Sequence, residues 1–156
     1  MSERLELDVD VAAPPATVWA ALVDWDRQGE WMLGTRVRGG SGVGASVEAW
    51  TGLGPVGFLD TMRITEWEPP RRCAVVHTGR VVRGTGVFAV EPLPSGRSRV
   101  VWVEDVELPL SGLGRAGWLL GRTGWALVRP ALWAGVALSL RRFARQVEAG
   151  SAGQPQ

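Results

Sequence analysis

Residues 5–11 alternate strictly, with Leu5, Leu7, Val9 and Val11 on one face and Glu6, Asp8 and Asp10 on the other. That period of two predicts a half-buried β-strand. Pro14 and Pro15 stop the strand and suit a first helical turn, because proline presets φ and lacks an N–H that would have no helical partner there. Ala16 to Val23 then reads as a short helix burying Val18, Trp19 and Leu22, and Asp24 opens a second short helical piece ending near Trp31. Strand-like segments follow: Arg36–Gly39, Ala45–Thr51, Phe58–Trp67, Cys73–Arg80, Val81–Glu91 and Ser98–Leu108, separated by glycine- and proline-rich turns. Beyond Pro130 the period changes. Trp133, Val136, Leu140, Phe143 and Val147 recur at spacings of three and four, which is one helical stripe, with Arg141, Arg142 and Arg145 opposite.

The order is thus one strand, two short helices, a meander and one long C-terminal helix expected over about Pro130–Val147. Pro109 to Arg129 is apolar and glycine-rich and gives no clear period. The tail from Gly150 to Gln156 has nothing to bury and reads as mobile, leaving one domain over 1–149. A chain of 156 residues buries about 68–70% of its unfolded surface, enough for one core.

Alternation also assigns faces. In the 58–67 strand Met62 and Ile64 turn one face inward, carrying Asp60 and Glu66 with them and leaving Trp67 on the outer side. In the last strand Val100, Trp102, Glu104 and Val106 face in. His77 faces in if Cys73 and Val75 do, although Val76 and Thr78 would also fit that face. A buried carboxylate is costly unless partnered, so Asp60 and Glu104 are expected to meet His77, an arginine or a ligand. Trp50 falls opposite Val47 and Ala49, toward solvent or a pocket mouth. Trp118 and Trp125 fall in the glycine-rich approach to the helix, where they are candidates for lining an entrance.

Composition removes several chemistries. Lysine, tyrosine and asparagine are absent and all 17 basic residues are arginine. No Schiff base, phosphate-loop lysine or tyrosine acid is available. Cys73 and His77 are each single, so no disulfide and no Cys/His zinc site form, and no metal or other cofactor is expected. Cys73 reads as a small buried hydrophobe. A net charge of +1 argues against nucleic-acid binding. Thr123–Leu140 is at the lower limit for a membrane span and carries Arg129 and Pro130 near its middle, so stable insertion is not expected. Ser2-Glu3-Arg4 leads into a strand rather than an apolar signal segment, which points to the cytoplasm.

Four stretches carry a family resemblance: Val11-Ala-Ala-Pro-Pro-Ala-Thr-Val-Trp19, Ile64-Thr-Glu-Trp-Glu-Pro-Pro-Arg-Arg72, Gly96-Arg-Ser-Arg-Val-Val-Trp-Val-Glu104, and the closing helix through Leu140-Arg-Arg-Phe143. In this order the chain resembles the SRPBCC superfamily, the helix-grip group that includes START lipid-transfer domains and polyketide cyclase/dehydrase proteins. The resemblance implies an α+β fold: a curved antiparallel sheet of about seven strands around the C-terminal helix, enclosing a cavity for a hydrophobic small molecule. It does not imply one activity, since fold and function are argued separately. The pocket arginine of polyketide aromatase/cyclases aligns with no particular arginine here. The expected function is therefore binding or carriage of a hydrophobic or aromatic ligand, leaning away from catalysis, with a polyketide cyclase or dehydratase as the alternative. The expected lining is Trp102, Glu104, His77, Asp60, Met62, Ile64, Trp133, Val136 and Leu140, with His77, Glu104 and Asp60 as the catalytic candidates. A monomer and a homodimer fit equally.

Overall fold

The computed structural model describes residues 2–107 and 114–152, with side chains over 3–107 and 129–152. Seven strands form one antiparallel sheet: β1 (Ser2–Val11), β2 (Thr35–Gly39), β3 (Ser46–Leu53), β4 (Val56–Glu68), β5 (Arg72–His77), β6 (Arg83–Leu93) and β7 (Arg97–Glu107). Their spatial order is β1-β7-β6-β5-β4-β3-β2. Strands 2 to 7 are thus a continuous meander, and β1 closes onto the last strand by pairing Leu7 with Trp102 and Val11 with Ser98. Helix α1 (Pro15–Leu22) starts with Pro15 in its first turn, and a 3₁₀ turn, Trp25–Glu30, follows. The expected helix-grip architecture is present, closed by the long helix α2 (Gly114–Ala152).

The core lies between the sheet, α1 and the C-terminal half of α2. Val11, Val18, Leu22, Trp31, Ile64, Val100, Leu140 and Phe143 are all nearly inaccessible and belong to one cluster. Trp31 and Phe143 meet edge to face at 5.0 Å, locking the 3₁₀ turn to α2. Two buried polar side chains are satisfied by backbone carbonyls: Ser98 Oγ donates to the Ala13 carbonyl at 2.7 Å and Gln28 Nε2 to the Leu22 carbonyl at 2.8 Å. At the helix end, Glu148 Oε1 accepts from the Ala12 N–H at 2.9 Å, and the Arg142 guanidinium donates to the Glu30 carbonyl.

Three expectations need correction. Helix α2 does not begin at Pro130. It runs from Gly114 through that proline, because proline removes one backbone donor and crowds the preceding turn without necessarily ending a helix. It also extends past Gly150 to Ala152, so the first three residues of the expected tail are helical. Residues 108–113 and 153–156 lie outside the described residues, as do the side chains of Trp118 and Trp125. Finally, the face assignment in β4 fails beyond Ile64. A bulge between Ile64 and Glu66 shifts the register by one residue, and a one-residue slip exchanges the faces. Trp67 therefore packs inward, 5.2 Å from Trp19. Glu66 turns outward to pair with Arg72.

Leu140 is 1% exposed whereas Arg141 is on the open face of α2. Leu140→Ala is expected to destabilise the fold by about 2–5 kcal/mol in urea denaturation. Arg141→Ala should stay within about 0.5 kcal/mol of the parent.

Candidate functional site

Between the sheet and the middle of α2 the concave surface is not filled by the core cluster. A cavity of about 520 Å³ occupies this space. Most of its wall is apolar, with Val47, Met62, Val75, Phe88 and Trp102 from the sheet facing Trp133 and Val136 from α2. Leu33, Phe58, Val81 and Leu132 both line the cavity and are exposed, so they mark its mouth.

One part of the wall is strongly polar. Asp60 on β4, His77 on β5 and Glu104 on β7 all line the cavity and form one chain of contacts. His77 Nδ1 lies 2.7 Å from Asp60 Oδ2, and His77 Nε2 lies 3.0 Å from Glu104 Oε2. Trp102 Nε1 donates to Glu104 Oε1 at 2.6 Å. The Asp60–His77 contact is a neighbour-strand contact, since His77 pairs with Met62 in register and Asp60 is two residues along on the same face. Glu104 is different. Strand β6 lies between β7 and β5, and strands are about 4.8 Å apart, so the Glu104 side chain must cross a whole strand.

Glycine makes that crossing feasible. Gly86 pairs with Glu104 on one side and Val75 on the other. A Cβ at Gly86 would stand 2.9 Å and 3.0 Å from the two carboxylate oxygens of Glu104. The bare backbone leaves a trough in which the carboxylate reaches His77. Gly84, paired with His77, is needed for a separate reason: its φ is +126° and a Cβ there would lie 2.0 Å from the Asp105 carbonyl oxygen.

An imidazole nitrogen that faced a carboxylate with its lone pair would be repelled, so carboxylates on both sides favour two N–H donors and hence an imidazolium. Burial opposes that charge. The hydrogen bonds and charges of Asp60 and Glu104 outweigh it and raise the His77 pKa to about 9. Cys73, also on the lining, has its thiol pushed up to about 11 by burial, which leaves it a poor nucleophile at neutral pH. Because the two nitrogens of His77 point to different carboxylates, the three groups do not converge on one point. Among the described residues no group of His, Cys, Asp and Glu is arranged to hold a metal ion.

Of the residues named from sequence, Trp102, Glu104, His77, Asp60, Met62, Trp133 and Val136 stand on the cavity wall. Trp133 is half-buried rather than buried, because its turn of α2 covers the cavity instead of the core. Ile64 and Leu140 do not line it; each is 1% exposed within the core. Trp50 lies on the outer face, its ring 5.5 Å from the Arg36 guanidinium carbon. Sequence reasoning missed Phe88, Gln28 and Ser139 on the wall. Phe88 was within reach, because it has the same parity as Gly84 and Gly86 on β6. Gln28 and Ser139 had no pattern to reveal them: Ser139 donates to the Gly135 carbonyl and accepts from the Leu33 N–H, holding the mouth segment to α2.

A curled antiparallel sheet gripping one long helix around an apolar cavity defines a helix-grip ligand-binding domain. This chain belongs to the polyketide cyclase/dehydrase and lipid transport family, which it matches over residues 2–148. Comparison with curated proteins gives no match. Among solved structures it is similar to the Zhui aromatase/cyclase from Streptomyces sp. R1128, at 20% identity and a TM-score of 0.79, covering 99% of this chain and 100% of that one. The di-domain aromatase/cyclase StfQ of the steffimycin biosynthetic pathway is similar at 15% identity and a TM-score of 0.73, over 97% of this chain and 52% of that one. TTHA0849 from Thermus thermophilus follows at 17% identity and a TM-score of 0.71, over 96% of this chain and 99% of that one. At these identities the structural likeness establishes the fold. Family membership supports a small hydrophobic ligand in the cavity, bound or converted. Among the described residues no helix is long and apolar enough to cross a membrane.

Two predictions concern the polar wall. His77 has its pKa raised from 6.5 to about 9 in the folded chain, so its stabilising effect is complete below pH 6.5 and is lost as pH rises through 9. Up to about 3 kcal/mol is at stake. Unfolding free energies measured from pH 6.5 to 8.5, before the ordinary thiol range contributes much, should fall for the parent and stay nearly level for His77→Gln. In the second, Gly86→Ala pushes the Glu104 carboxylate off its partners, so the His77 pKa read by NMR should drop from about 9 toward 6.5 while the fold survives. Gly84→Ala should instead unfold the protein.

Proposed function

We propose that this protein binds a small hydrophobic molecule of aromatic or polycyclic size in the cavity, as a carrier or sequestering protein. The observation that carries the reading is the cavity itself: about 520 Å³, preformed, apolar over most of its wall, with one polar cluster that orients a ligand. Trp102 stacks in a tilted arrangement on Phe88 at 5.0 Å and presents a flat aromatic surface beside Glu104. Against catalysis as the primary role, both ring nitrogens of His77 are engaged by carboxylates, which leaves no free imidazole lone pair to act as a base. No arginine other than Arg4 lines the cavity among the described residues.

The same cluster favours one second reading, a cyclase or dehydratase. There Glu104 would take a proton from a carbon between two carbonyls. The carbanion would attack a further carbonyl to form the ring bond, and the alkoxide so formed would take that proton back from Glu104. Glu104 would then take the second proton of the same carbon while His77 gives its proton to the departing hydroxyl, so that water leaves and a carbon–carbon double bond forms. Family membership supports this reading as well.

The chain has nine tryptophans and no tyrosine, so indole emission reports binding directly. Titration with flavonoids, polycyclic aromatics and fatty acids is expected to yield at least one compound that quenches or shifts the emission. That compound should stabilise the protein by about 2.7 kcal/mol at a hundredfold excess over its Kd. Trp102→Phe should remove much of the optical change and little of the stabilisation. If no compound moves either signal, the binding reading fails. Conversion of a poly-ketone substrate that disappears in Glu104→Gln and His77→Ala, with binding retained, would establish the enzyme instead.

A further inference from the structure

The polar wall of the cavity has an unequal stock of hydrogen-bonding groups. Its donors are the two ring N–H groups of His77 and the indole N–H of Trp102, and all three are spent on carboxylate oxygens. Its acceptors are four carboxylate oxygens, each able to take more than one donor. Asp60 Oδ1 is buried near Gly79 and has no hydrogen-bond partner among the described residues. The Glu104 side chain keeps 19% of its surface open, the most accessible of the three groups. Two carboxylates to one imidazolium also leave this wall with an excess of negative charge.

Among the described residues a ligand therefore finds unused acceptors on this wall and no unused donor. A carbonyl, carboxylate or phosphate group placed there would meet oxygens only, desolvated and unpaired, which is costly. A hydroxyl or ammonium group would complete the coordination of Glu104. Resting on the reading of the cavity as a ligand site, we infer that the bound molecule presents a hydrogen-bond donor, an enol or phenol hydroxyl or a protonated amine, to Glu104 at the end of an apolar body. This wall discriminates against molecules that present a ketone or an acid to it. Glu104 is the specificity-determining residue, placed by the trough at Gly86.

A matched series on one ring system tests this: naphthalene, 2-naphthol, 2-naphthylmethylamine, 2-acetylnaphthalene and 2-naphthoic acid, titrated at pH 7 by isothermal calorimetry. The naphthol and the amine are expected to bind about tenfold or more tighter than the ketone and the acid, as a hydrogen bond to a charged group implies. A larger gain for the amine than for the naphthol would identify the excess charge as the selecting feature; a larger gain for the naphthol would identify the hydroxyl as the preferred donor. Glu104→Gln, which supplies an amide donor and removes the charge, should abolish the preference and improve binding of the ketone. Equal or tighter binding of the ketone or the acid to the parent protein overturns the inference while leaving the cavity reading intact. If none of the five binds while a compound of the fluorescence panel does, the inference falls and the cavity reading stands.

Discussion

A single helix cannot fill the concave side of a curled seven-stranded sheet, and the rest of the molecule follows from that shortfall. The C-terminal turns of α2 are gripped tightly, through Leu140, Phe143, Ala144 and Val147 against the strands and α1. Near its middle the same helix borders the cavity, which Trp133 and Val136 line. Interiors are normally close-packed, so an apolar space of this size is a feature that the surrounding frame must support without collapsing. The closed pairing of β1 onto β7 and the anchoring of the 3₁₀ turn by Trp31 on Phe143 provide that frame.

Within the cavity, charge rather than shape sets the character of the site. Taking carboxylates and an imidazolium out of water is expensive, and such a cluster is weak evidence for stability in itself. Here the three groups come from three different strands and satisfy one another through the ring of His77. Their arrangement holds His77 protonated at neutral pH and commits its donors inward. A site of that kind is poor at supplying protons to a ligand's carbonyl and well suited to receiving a donor from it. Binding with orientation follows more directly from this geometry than turnover does.

Family membership and fold leave the choice between carriage and cyclisation to the details of this wall. The aromatase/cyclase structures share the frame at 15–20% identity, where side chains inside the cavity are free to differ. In this chain the polar part of that wall is the Asp60–His77–Glu104 cluster, with Gly86 letting Glu104 cross β6.

How much of this was legible in the sequence depends on the range of the interaction. Strand alternation and helical periodicity report which residues share a face of one element, and that is local. Hence the element order, the inward faces of β1 and β7, the first half of β4 and the Leu140–Phe143 stripe were readable from the chain. The bulge after Ile64 was not, because alternation has no way to mark an inserted residue, and Trp67 changed sides as a result. The start of α2 was misplaced because proline reads equally as a first turn and as a tolerated interruption. Deeper limits came from pairing across the sheet. Alternation left His77 on either face of β5, and only the antiparallel register against Met62 on β4 and Gly84 on β6 directed it inward. Gly86 has no side chain for alternation to read. In the folded sheet it lies inside β6, beneath a carboxylate from β7 on its way to β5. Sequence by itself determined which groups were available to a buried site. Tertiary structure decided that they meet, because contact between β4, β5 and β7 is a property of strand order and register, which no single segment encodes.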